Sequence, residues 1–141
     1  MLKLIAFVAC ETVLSDERNN PSLISVFSAL DIGHVAGQAI SPEAVSPQRW
    51  KVFTQWNADE ADIGQEFTQK ISIAAPDGRE FGGAETDFKL ETRSHNIKIS
   101  VEGMPVGVEG NIVMKVWVKS GTKTITEIHT SEISIRHSRT K

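Results

Sequence analysis

The sequence predicts an all-β fold, an antiparallel β-sandwich of about eight strands in a single domain spanning residues 1–141. Three observations carry that expectation. Apolar and polar residues alternate with period two in several separate stretches, as on strands that bury one face. Clusters of Gly, Pro, Asn and Asp separate those stretches. No stretch sustains the periodicity of an amphipathic helix.

The first stretch, LIAFVAC, is a continuous apolar run of the kind expected in a central strand covered on both faces. With Lys3 before it and Ala9-Cys10 at its end, it also has the outline of an exported lipoprotein's leader. Such a leader needs an apolar core of about 7–15 residues. Here Glu11 follows Cys10 at once and Val13-Leu14 resume the apolar pattern, so a strand is expected, with Cys10 in the core. SDERNNP is a turn cluster, and SLISVFSALDI then reads as a strand hairpin-paired with the first. Residues 33–48, rich in Gly and Pro, read as a long loop.

RWKVFTQW sets Trp50, Val52, Thr54 and Trp56 on one face and Arg49, Lys51, Phe53 and Gln55 on the other. FTQKISIA sets Phe67, Ile71 and Ile73 against Thr68, Lys70 and Ser72. PDG at 76–78 suits a tight turn, which closes a hairpin onto a strand at 79–90 that is kinked at Gly82-Gly83. In HNIKISVEG, Ile97, Ile99 and Val101 point inward; GMPVGVEG is a loop. NIVMKVWVK turns Ile112, Met114, Val116 and Val118 inward and Val113, Lys115, Trp117 and Lys119 outward. After the KSGTK turn, Ile128 is out of phase with Ile125, Ile133 and Ile135, which predicts a bulge or a break near Thr130. A flexible basic tail at 136–141 completes the chain. The expected sandwich is immunoglobulin-like in general architecture.

Hydrophobic residues at 40% and charged residues at 23% are a globular balance. The net charge of −3 argues against a nucleic-acid partner, whose phosphates need many Lys and Arg contacts. Residues 57–91 are strongly acidic and 111–141 basic, which adjacent strands would neutralise. Cys10 is the sole cysteine, so no intrachain disulfide forms and a reducing, cytoplasmic setting is expected. No apolar run approaches the roughly 18 residues that span a bilayer.

Acidic loops are the first candidate sites, with Asp16 and Glu17 in one and Asp59, Glu60 and Asp62 in another. Loop oxygens at one end of a sandwich hold hard cations, so Asp16, Glu17, Asp59 and Asp62 are the candidate calcium ligands, although no EF-hand loop is present. His34, His95, His129 and His137 show no metal-ligand spacing and are expected in loops or at the surface. A cysteine in an apolar strand should have a raised pKa and be inert. There is no nucleophile elbow, and the Gly-rich 103–110 segment lacks the Lys of a phosphate-binding loop. Trp117, between Lys115 and Lys119 on an outer face, is the candidate interface residue.

The order IAFVACETVLSDERNNPSLISVFSAL, then a Pro-containing linker, a PDG hairpin and a GNIVMKVWV strand, resembles a family of small uncharacterised bacterial proteins. The likeness is specific over residues 4–30 and loose over 66–120. It implies a β-sandwich domain of unknown function. The sequence-level expectation is a non-enzymatic interaction or scaffold domain without a cofactor, binding a protein partner or a second copy of itself. A calcium- or carbohydrate-binding sandwich is the alternative.

Overall fold

The computed structural model describes residues 2–18, 20–35 and 40–140, the side chains of residues 34, 35, 139 and 140 aside. Among these, ten strands form: Lys3–Ser15 (β1), Pro21–Phe27 (β2), Ala29–Val35 (β3), Val45–Asn57 (β4), Glu66–Ala74 (β5), Glu80–Lys89 (β6), Ser94–Pro105 (β7), Gly110–Ser120 (β8), Lys123–Thr124 (β9) and His129–Thr140 (β10). A four-stranded sheet, ordered β2-β1-β4-β7, packs on a six-stranded sheet, ordered β3-β10-β8-β5-β6 with β9 beside β8. The all-β sandwich is therefore as the alternation predicts.

The inner faces also follow the alternation. Trp50, Val52, Thr54 and Trp56 of β4 are buried against Phe67, Ile71 and Ile73 of β5 and Ile112, Met114, Val116 and Val118 of β8. Each such side chain contributes about 1.5–3 kcal/mol by leaving water. Besides the Thr54 hydroxyl, two indole N–H groups on β4 need partners in this apolar setting. The Trp50 indole N–H donates to the Gly103 carbonyl at 2.7 Å, and the Trp56 indole N–H donates to Gln69 Oε1 at 2.7 Å. The PDG turn forms as expected, with Gly78 at φ 89° and Asp77 Oδ1 accepting from the Arg79 N–H. Opposite Gly82, the β5–β6 register shifts between Ile73 and Ala74, which is the expected kink.

Four expectations need correction. SLISVFSALDI is not one strand: β2 stays beside β1, antiparallel, but the chain leaves that sheet at Ser28 and β3 runs parallel to β10 in the other. Among the described residues there are thus ten strands where about eight are expected, and one sheet is mixed. The 33–48 loop is shorter than expected, because β3 reaches Val35 and β4 starts at Val45; residues 36–39 lie outside the described residues. The tail at 136–140 is a paired strand, with Arg136 opposite Asp31 and Thr140 opposite Val35, and Lys141 lies outside the described residues. Here β3 and β10 meet each other's backbone hydrogen-bonding needs, which no local pattern records. The break expected near Thr130 is present, immediately before His129, and leaves Ile128 exposed.

A further departure is the arm made by the outer halves of β1 and β2. Phe53 alternates with the core face of β4, so it points to the outside of the four-stranded sheet, yet it is buried. It forms a second apolar cluster with Cys10 and Val13, with Ala6, Val8 and Leu23 packed around it. Val13, Ser15 and Pro21 share one small cavity of about 190 Å³ with Phe53 of β4 and with Asn96 and Lys98 of β7. The arm therefore lies over the outer face of its own sheet. The ladder between β1 and β2 omits only the Glu11–Ser25 pair, and Ser25 has φ 55°. That left-handed serine marks the bend.

Candidate functional site: the outer face of β5, β6 and β8

The side chains of Lys115, Trp117 and Lys119 share the outer face of β8 because they alternate with the fully buried Met114, Val116 and Val118. Antiparallel pairing sets Trp117 opposite Lys70 of β5, with Lys115 opposite Ser72 and Lys119 opposite Thr68. The next strand continues each row: Glu85 faces Lys70, Gly83 faces Ser72 and Asp87 faces Thr68. The residues expected as an interface are thus brought together on one surface. The acids of β6 border it.

Trp117 is half-buried and lines a depression of about 290 Å³ with Lys70, Ser72, Gly83 and Glu85. Gly83 contributes no side chain to that hollow, and it must be glycine for a second reason. A Cβ there would stand 2.8 Å from the Ile71 carbonyl oxygen, closer than packing allows.

Charge is balanced across this face. Lys70 Nζ lies 2.7 Å from Glu85 Oε1, and Thr68 Oγ1 donates to Asp87 Oδ1 at 2.6 Å. The hydrogen bond and charge of Lys70 hold the Glu85 carboxyl below its usual range; Lys119 adds to this and Asp87 opposes it. Lys70 and Glu85 both belong to the acidic segment 57–91, so this pair is internal to it; from the basic segment Lys119 adds its charge toward Glu85. Lys70, Ser72, Gly83 and Glu85 were absent from the candidates read from sequence. The signal that finds them is the PDG turn, since its position sets the β5–β6 register and hence Lys70 against Glu85.

The four acids expected as calcium ligands are not brought together. Asp16 follows the end of β1, whereas Asp59 and Asp62 follow β4, whose last residue Asn57 pairs with Lys3 at the start of β1. They sit at opposite ends of the four-stranded sheet. Asp16 Oδ1 accepts from the backbone N–H groups of Arg18 and Asn20 at 2.8 and 2.9 Å, which lowers its pKa, the Asn20 bond most of all. Asp62 Oδ2 accepts from the Asp59 N–H at 3.3 Å, and Glu17 is exposed. These are turn-forming roles. Among the described residues no group of three or more His, Cys, Asp or Glu is arranged to hold a metal ion.

Three histidines are placed differently from expectation. His95 on β7 stacks on Phe88 with centroids 4.7 Å apart, His129 on β10 meets the Trp56 ring edge-on, and His137 Nε2 lies 2.6 Å from the Val106 carbonyl oxygen. All three are half-buried strand residues. Cys10 is fully buried, and that burial raises its thiol pKa while Lys51 opposes the shift. Among the described residues, no helix is long and apolar enough to cross a membrane.

No family model matches the chain, and no curated protein matches it.

Proposed function

We propose that the chain is a non-enzymatic protein-interaction domain, and that its contact face is the outer surface of β5, β6 and β8 with Trp117 as the anchor. The observation that carries this is Trp117 itself, half-buried beside a hollow and flanked by Lys115 and Lys119 on its own strand and by the Lys70–Glu85 pair. An aromatic anchor within a polar, charge-bearing rim is the composition of binding hot spots. Charges of both signs favour a protein surface over a polyanion. An immunoglobulin-like architecture belongs to the same proposal, and the strand order supports it: β1-β4-β7 face β10-β8-β5-β6, and β3 crosses over to run parallel to β10. The lone buried thiol of Cys10 supports a cytoplasmic setting. Membership in a small bacterial β-sandwich family, drawn from residues 4–30, belongs to the same proposal.

Parallel affinity capture from the native host with the wild-type chain and Trp117→Ala tests the assignment. A partner retained by the wild type and lost by the variant, at equal melting temperature, is the expected result. Identical captured sets would overturn it.

A carbohydrate ligand is the second reading, favoured by the indole bordering a hollow lined with Lys70, Ser72 and Glu85. A glycan that raises the melting temperature of the wild type but not of Trp117→Ala would select it, since a ligand that binds the native state stabilises it.

A further inference from the structure

The hollow beside Trp117 owes its charge to a bulge. Ile73 of β5 pairs with Gly82 and the next residue, Ala74, pairs with Glu80, so β6 carries Phe81 as an extra residue at that point. The extra residue resets the alternation: Phe81 packs on the core, and Glu80 comes to line the hollow with Gly83 and Glu85. In an unbroken ladder Glu80 would point inward. Lys70 is the one cation among the lining groups, so two carboxylates face one ammonium. That ammonium is committed to Glu85 at 2.7 Å, whereas Glu80 is exposed and has no ion pair among the described residues. Lys115 and Lys119 flank Trp117 on its own strand but do not line the hollow.

We propose that this hollow takes an arginine side chain of the protein partner. The inference rests on the contact-face reading above and adds the chemistry of the group that enters it. Charge complementarity selects the occupant. A carboxylate of the partner would be repelled by Glu80 and Glu85 and would find Lys70 already paired. A cation meets the unpaired Glu80 and the indole together, and the face of an indole attracts cations. Guanidinium suits the place better than ammonium, because its plane lies flat on an aromatic ring while its N–H groups reach sideways to a carboxylate. At about 290 Å³ the hollow lies just below the roughly 300–1,000 Å³ of clefts that hold whole small molecules, a size for one side chain. Gly83 keeps that space open.

Nuclear magnetic resonance titration with N-acetyl-arginine amide tests this directly. Trp50 and Trp56 are fully buried, so Trp117 is the indole whose N–H signal a surface ligand moves. The expected result at low ionic strength is a saturable shift of that signal and of the Gly83 amide, with Kd of about 1–10 mM. N-acetyl-citrulline amide, the neutral isostere, should bind at least about threefold more weakly, as should arginine amide to Glu80→Gln. Glu80→Lys, which reverses the local charge, and Trp117→Ala, read at Gly83, should abolish the shift at unchanged melting temperature. No saturation by about 100 mM arginine amide, equal binding of citrulline amide, or full binding by Glu80→Lys overturns the proposal. Affinity capture separates this failure from that of the contact face. A partner lost by Trp117→Ala but kept by Glu80→Lys would overturn the arginine assignment and leave the face standing; one kept by Trp117→Ala would remove both.

Discussion

Trp56 of β4 and Gln69 of β5 are joined across the two sheets through a single oxygen: Gln69 Oε1 accepts from the indole N–H at 2.7 Å and from Thr54 Oγ1 at 2.6 Å. Indole can only donate, so the amide oxygen must face it. All three residues are fully buried, so water cannot stand in for any of them. Gln69→Leu leaves two buried donors unpaired, and removal of the amide nitrogen, which has no partner in this core, offsets part of the cost. The expected loss is about 1–3 kcal/mol. Urea unfolding should show a lower midpoint at unchanged slope, and adding Thr54→Val to Gln69→Leu should cost less than the two changes separately.

The two adjacent glycines of β6 should respond differently to a methyl group. At Gly83 a Cβ meets the Ile71 carbonyl oxygen at 2.8 Å, whereas at Gly82 nothing lies within 4 Å. Gly83→Ala should lower stability by about 1–3 kcal/mol through a forced backbone shift, and Gly82→Ala should stay within about 0.5 kcal/mol of wild type. Thermal unfolding of the pair checks this. Equal effects would show that the close approach of β6 to β5 is not what requires glycine.

Cys10 should be unreactive in the native state. Its thiol is buried beneath the β1–β2 arm, and desolvation raises its pKa, so the nucleophilic thiolate is scarce at neutral pH. An aromatic disulfide reagent should label it only as fast as the chain opens, with full labelling in denaturant. The sign for stability follows: an acid whose folded pKa is raised contributes fully below its unfolded pKa and loses that contribution as pH climbs through the folded value. Cys10→Ala should therefore flatten the decline of stability on the alkaline side.

His95 supplies the opposite window. Burial against Phe88 lowers its pKa, with Glu91 pulling the other way, so the unfolded chain binds the proton more readily. The contribution is present above the ordinary histidine range near 6.5 and is lost as pH falls through the depressed folded value. Unfolding midpoints of the wild type should drop between neutral and mildly acidic pH, and His95→Phe should reduce that drop. A variant with the wild-type profile would assign the change to other groups.

The core was legible because its signal is local. Trp50, Val52, Thr54 and Trp56 lie on one face whatever β4 pairs with, and the same holds for Ile112 through Val118 of β8. Lys115, Trp117 and Lys119 were legible as an outward row for that reason. Their bordering acids were only half legible, since Glu85 and Asp87 join the face through the β5–β6 register that the PDG turn sets. Gln69 sits on the inner face with Phe67 and Ile71, but a polar residue there shows no use until Trp56 and Thr54 arrive from the other sheet. Asp16, Glu17, Asp59 and Asp62 looked alike as loop acids, and only the β1–β4 register separates them to opposite ends.

By itself the sequence determined the all-β class, the inward face of most strands and the β1–β2 and β5–β6 hairpins, because side-chain alternation and turn chemistry are properties of a few neighbouring residues. Tertiary structure alone decided that β3 leaves its neighbour to run parallel to β10 and that the arm bends at Ser25 to bury Phe53 and Cys10. Those outcomes are settled by which distant backbone edge and which apolar face become available when two sheets close on each other, and period two is blind to that competition.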